Sequence, residues 1–216
     1  MARYEMGMSL DYPAKWAAVD AIREIFQNAL DEEVQNPENK WYFNYDRENS
    51  ILQIGNKLSK LDKKTLLLGV SGKRDDDRTI GQHGEGYKVG INVLLREGLG
   101  VTVYNYSEKE VWHAKVINSR RYKQEVAVFD IEKYYIKSVP EQSLIFEITG
   151  VSEKLYNEVK EKNLWLQSDL GEVRQCGELG RVLLDPKYSG KVFVRGLYVC
   201  TREFLTWGYD LSPELL

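Results

Sequence analysis

Two short stretches of this sequence bring together residue types that can do phosphate and metal chemistry. The first is Glu24, Asn28 and Asp31, spaced by four and then three residues. On a helix that spacing places all three on one stripe. The stripe lies beside an apolar one made by Trp16, Val19, Ile22, Phe26, Ala29 and Leu30. The side-chain oxygen of an Asn suits a hard cation such as Mg²⁺. A Glu one turn away can orient or deprotonate a water. The same three residue types are common on solvated helix faces, so the spacing by itself leaves both readings open.

The second stretch is IGQHGEGYKVG, from Ile80 to Gly90. Glycines at 81, 84 and 86 let the backbone approach a ligand closely and expose N–H groups where a helix begins. Those groups and the helix dipole favour phosphate. Lys88 adds charge, as do Lys73, Arg74 and Arg78 in the preceding loop. The plainer reading is a glycine-rich turn ahead of a helix. Two other phosphate motifs fail on inspection. A P-loop ending at Gly72-Lys73 needs glycine where Leu67 stands and a hydroxyl where Arg74 stands. A dinucleotide fingerprint starting at Gly84 needs glycine where Val89 stands. The run Asp75-Asp76-Asp77 reads as a solvated loop tip rather than a metal site.

In combination, E-x-x-x-N-x-x-D on a helix followed by G-x-x-G-x-G-Y-K resembles the GHKL superfamily. That superfamily unites the ATPase domains of gyrase B, the ninety-kilodalton heat-shock chaperones, histidine kinases and MutL on the Bergerat fold. The resemblance spans roughly residues 10–150, with sharp motifs only at 24–31 and 80–90. The Lys after the second glycine box is closest to the MORC-type branch, and the style also resembles phage-encoded ATP-binding proteins. The resemblance implies ATP and Mg²⁺ as ligands. Glu24 would be the general base and Asn28 the Mg²⁺ ligand, with Asp31 near the adenine or ribose. Gly81, Gly84 and Gly86 would give an ATP lid its phosphate contacts, with Lys73, Gln82, His83, Glu85, Tyr87 and Lys88 around them. Ser143 sits where the family has a Thr near adenine.

One departure matters. The family's first glycine box has an Asp that accepts the adenine amino group, followed by two glycines. Asn56 stands at the Asp position, and Leu58 and Lys60 replace the glycines. A neutral acceptor in place of a charged one weakens that bond by about 1 kcal/mol, or several-fold in affinity. The resemblance implies slow ATP hydrolysis that drives lid closure or an ATP-dependent homodimer, coupled to a further domain or partner protein. The alternative is a degenerate, non-hydrolysing domain that binds a protein or nucleic acid. A kinase module on the same fold ranks lower, because neither a coiled coil nor a phospho-acceptor His context is present.

The elements that must position these residues follow from pattern. A helix is predicted from Pro13 to Gln35, stopped by Asn36-Pro37. A hairpin follows at 41–45 and 51–54, and a short Asp-capped helix at 62–68. Residues 69–86 read as a long loop, which is uncommon without a function. A second helix is predicted at 85–97, then strands at 100–106, 111–117, 125–131 and 143–149 and a helix at 152–162. Lys191 to Trp207 reads as a hairpin and short helix. Helices early and antiparallel strands late favour an α+β, two-layer sandwich with helices on one face of a mixed, mostly antiparallel sheet. The predicted organisation is an ATP-binding domain over 1–190 and a C-terminal hairpin piece over 191–216, the start of a coupling domain.

Composition is that of an ordinary globular chain. The 216 residues are 43% hydrophobic and 29% charged, enough to bury a core without staples. Apolar runs are far too short to span a bilayer, and no targeting segment is visible, so a cytoplasmic location without a membrane partner is expected. Thirty basic residues against thirty-three acidic ones give net −3, which does not indicate nucleic acid unless a local patch exists. Cys176 and Cys200 lack C-x-x-C spacing and read as reduced thiols. His83 and His113 are too few and too far apart for zinc. Strand aromatics such as Tyr104, Tyr106, Trp112, Tyr134 and Tyr135 read as packing.

Overall fold

The computed structural model describes residues 2–66 and 86–212. It divides into two compact units, Met1–Leu155 and Tyr156–Leu216. The first unit is α+β. Its sheet contains β1 (Ala2–Ser9), β2 (Trp41–Asp46), β3 (Ile51–Asn56), β4 (Gly100–Asn105), β5 (Glu110–Ser119), β6 (Gln124–Lys133) and β7 (Leu144–Thr149). The strand order is β1-β6-β5-β4-β7-β3-β2. Every pairing described in this sheet is antiparallel.

Two helices, α1 (Ala18–Gln35) and α2 (Gly86–Arg96), pack on one face of the sheet. α1 lies over β2 and β3, and α2 over β4 and β5. The alternation in β4 and β7 shows why: Val101, Val103, Leu144, Phe146 and Ile148 are buried toward the helices, while Thr102, Tyr104, Ile145 and Glu147 are half-buried on the other face. From α1, Ile22, Ile25 and Phe26 fill the layer between. The Phe26 ring meets Trp41 and Phe43 edge-on, at centroid separations of 5.3 and 5.1 Å. The two helices touch closely at Gly90, where a Cβ would lie 3.0 Å from the Ala21 carbonyl oxygen.

The predicted strands and both early helices form, with shifted ends. α1 starts at Ala18 rather than Pro13. The Asp20 carboxylate accepts the Ala17 N–H at 3.0 Å, and α2 side chains bond the carbonyls upstream. Asn92 donates to the carbonyls of Ser9, Leu10 and Tyr12. Arg96 donates to those of Asp11, Pro13 and Trp16. The short helix after Asp62 is a 3-10 turn over Lys63–Leu66, with Asp62 accepting from the Lys64 N–H. β1 carries no pattern strong enough to predict it. It is secured across the sheet, where Arg3 grips Asp130 of β6 at 2.7 and 2.9 Å.

α3 (Glu153–Glu161) ends the first unit and begins the second. The second unit then adds β8 (Val173–Gln175), β9 (Gly180–Leu183), β10 (Lys191–Val194), β11 (Leu197–Thr201) and β12 (Gly208–Leu211), in sheet order β11-β10-β12-β9-β8. The predicted boundary at 190/191 differs from this division. Leu164, Leu183, Tyr188 and Phe193 form a core of their own, which joins 156–190 to the C-terminal residues. The predicted short helix near Trp207 is absent from the described residues. The chain turns there and enters β12, parallel to β10 and antiparallel to β9. The parallel pair belongs to this second sheet; the helix-bearing sheet, expected to be mixed and mostly antiparallel, is antiparallel in every described pairing. No helix among the described residues is long and apolar enough to cross a membrane.

Candidate functional site

Glu24 and Asn28 project from the middle of α1 toward the first residue of α2. A Cβ on Gly86 would lie 2.7 Å from Glu24 Oε2 and 3.7 Å from Asn28 Nδ2. Only glycine lets the start of α2 come this close to a carboxylate without displacing it. The helical stripe and the glycine box therefore meet at Gly86.

Hydrogen bonding fixes how the two side chains face. Asn28 Nδ2 donates to the Glu24 carbonyl one turn back, at 2.8 Å. That uses the amide's donor end and turns its oxygen, the end suited to a hard cation, the other way. Glu24 is half-buried, and Oε1 accepts from Arg23 Nη2 at 2.9 Å. Neighbouring positions on a helix do not normally face each other, so helical spacing does not pair Arg23 with Glu24.

Asp31, on the same stripe, is fully buried, as is Lys88 on α2. Each has an interaction partner, so neither is a solvent-facing charge. Tyr87 is buried, with its ring 6.0 Å from that of Phe146 on β7. That makes Tyr87 part of the helix–sheet packing.

Asn56 and Ser143 lie side by side at the ends of β3 and β7, where the Ser143 N–H donates to the Asn56 carbonyl at 3.1 Å. Asn56 Nδ2 donates to the carbonyls of Ala29 on α1 and Asn39, at 2.9 and 3.1 Å. The side chain thus ties β3 to the part of α1 that carries Asn28 and Asp31, with its amide oxygen directed away from those two carbonyls. The Ser143 hydroxyl donates to the Ser59 carbonyl at 2.6 Å. Residues 57–62 are held by side chains. Asn39 Oδ1 accepts from the Leu58 N–H, and Asn105 bonds both backbone groups of Leu61. This network of buried amides and hydroxyls was not anticipated from the sequence, because its partners are distant in the chain and mostly backbone.

Lys73, Gly81, Gln82, His83, Gly84 and Glu85, together with Arg74, Arg78 and the triple Asp, lie outside the described residues. Among the described residues no cluster of His, Cys, Asp and Glu is arranged to hold a metal ion by itself. A cation here would therefore depend on Asn28 Oδ1 together with ligand and water oxygens, a donor set that fits Mg²⁺.

No protein-family profile and no curated protein matches the sequence. Solved structures do resemble it. The ATPase region of Saccharomyces cerevisiae topoisomerase II bound to ICRF-187 is 14% identical with a TM-score of 0.49, and covers 83% of this chain and 62% of its own. The ATPase region of Saccharomyces cerevisiae topoisomerase II in a second structure is 16% identical with a TM-score of 0.43, at the same coverage. The ATPase and transducer domains of DNA topoisomerase II from Balamuthia mandrillaris are 13% identical with a TM-score of 0.46, covering 83% and 59%. The chain thus spans about three-fifths of the length of the structures it matches.

Proposed function

We propose that this chain binds ATP with Mg²⁺ in a GHKL-type site on the Bergerat fold and hydrolyses it slowly, with lid closure or dimerisation as the output. The observation that carries the reading is the close approach of Gly86 to Glu24, with Asn28 beside it. It joins two motifs that are some fifty residues apart in the chain, and it does so at a helix N-terminus, where exposed N–H groups favour phosphate.

In this reading the β- and γ-phosphates lie along the start of α2. Mg²⁺ held by Asn28 Oδ1 would neutralise phosphate charge. Glu24 takes the proton of the attacking water, and Arg23 keeps the carboxylate oriented until then. Asn56 offers its amide oxygen to the base, with Ser143 and Asp31 nearby. The stretch read from the sequence as a loop, residues 69–86, would supply the lid and the remaining phosphate contacts. A positioned base contributes about 10²–10⁴ in rate.

A second reading is binding without turnover, in a domain that serves as an interaction module. It is favoured by the occupied state of Asn56 Nδ2 and by side-chain bracing of residues 57–62 in place of the family glycines. Calorimetry with ATP, ADP and GTP, with and without Mg²⁺, paired with a phosphate-release assay, separates the two. The expected result is Mg²⁺-dependent ATP binding that Asn28→Ala weakens. Glu24→Ala should keep binding and lose turnover by at least about a hundred-fold. Absence of nucleotide binding sinks the nucleotide site. Binding with no turnover in the parent favours the second reading.

A further inference from the structure

We propose that the β5–β6 hairpin is a docking element for duplex DNA, independent of the nucleotide site. The two strands pair along their whole length, out to Ser119 opposite Gln124. Their neighbours stop earlier. β4 pairs with β5 only from Glu110 to His113, and β1 reaches β6 no further than Val126. Among the described residues, 118–119 and 124–125 therefore pair only with each other, and they carry the turn at the end of the hairpin.

The tip is Ser119-Arg120-Arg121-Tyr122-Lys123, closed by the Lys123 N–H donating to the Ser119 carbonyl at 2.8 Å. Arg120, Arg121, Tyr122 and Lys123 are all exposed. Three cations stand against one carboxylate, Glu125, in a chain that is net acidic. None of the three forms an ion pair among the described residues, whereas Lys115, lower on the same hairpin, is engaged by Asp130. The Arg121 guanidinium lies over the Tyr122 ring, 5.3 Å from its centroid. A guanidinium held against a ring keeps N–H groups that can donate to an anion.

Shape selects among polyanions. The major groove of B-DNA, about 12 Å wide, admits a two-stranded β-ribbon, while the deep, narrow groove of an RNA duplex does not. A membrane-inserting tip would present large aliphatic side chains, and this one presents a single tyrosine among polar residues.

The test is fluorescence anisotropy of a labelled DNA duplex titrated with the full chain, without nucleotide, across a series of KCl concentrations. The expected result is salt-dependent binding. R120A/R121A/K123A should weaken it by roughly ten-fold or more at low salt and lower the log–log salt slope by about 2–3. The charge-preserving pair R120K/R121K should keep that slope. Should the triple variant lose its melting transition, Arg120→Glu alone gives the same readout. The proposal is overturned if the parent does not bind at low salt or if the variants bind like the parent. It is also overturned if an RNA duplex or phosphatidylserine vesicles compete as well as unlabelled DNA. Because ATP is absent throughout, failure here leaves the nucleotide-site reading untouched, and the converse holds.

Discussion

Glu24 is held from two sides, by the Arg23 guanidinium on Oε1 and by the bare Cα of Gly86 near Oε2. A methyl group at position 86 would push the flexible end of Glu24 aside rather than break backbone packing. Gly86→Ala is therefore expected to leave the melting temperature nearly unchanged and, if the proposed ATP hydrolysis holds, to cut turnover by roughly ten- to a hundred-fold, the usual consequence of misplacing a reacting group by about 1 Å. Steady-state kinetics beside a thermal melt checks this. A large drop in melting temperature would mean that Gly86 serves packing rather than the carboxylate. The Asn28 amide is set in a similar way: its bond to the Glu24 carbonyl makes the orientation of its oxygen a property of the helix.

At the scale of elements, α2 joins the candidate site to the chain's N-terminal segment. Its first residue meets Glu24, and farther along Asn92 and Arg96 collect six carbonyls between Ser9 and Trp16. Asn92 is fully buried. Asn92→Ala strands the carbonyls it served and should cost about 2 kcal/mol in urea unfolding. Asn92→Asp should cost more, because a carboxylate cannot donate and would face three carbonyl dipoles. Equal stability of the two variants would refute the clamp.

The seam of β1, β6 and β5 makes a pH prediction. The Arg3 hydrogen bonds, joined by Lys115, hold the Asp130 carboxyl down at about 2 against the opposing effect of burial. A depressed carboxylate stabilises the fold fully above its ordinary value of 3.8 and loses that contribution as pH falls toward 2. Asp130→Asn should be less stable at neutral pH and show a shallower acid limb between about pH 4 and 2. An unchanged acid limb would place the titration elsewhere.

Over the whole molecule, every described candidate residue falls in Met1–Leu155, and the second unit has its own core. A chain ending at Leu155 is therefore expected to melt cooperatively and, in the proposed reading, to bind ATP within a few-fold of the full chain. Loss of binding in a folded truncation would show that the C-terminal unit contributes to the site. The hairpin proposed for DNA also lies in the first unit, so the same truncation should keep its salt-dependent binding.

Much of this architecture was legible in residue order. Helical periodicity marks α1 and α2, alternation marks β4 and β7, and the order of helices and strands gives the α+β class, because these patterns record which face of each element is buried. The Glu24–Asn28–Asp31 stripe follows from 3.6 residues per turn alone. Contacts between distant residues were not legible. Nothing local to Gly86 says that it abuts Glu24. Nothing local to Asn92 says that its amide serves the β1–α1 connection. Pro13 suggested a helix start, but Ala17 is extended and caps a helix that begins at Ala18, while α2 holds the segment before it through backbone carbonyls from Ser9 to Trp16. The boundary after Leu155 is likewise set by which apolar residues share a core, and that is decided by packing in three dimensions rather than by composition along the chain.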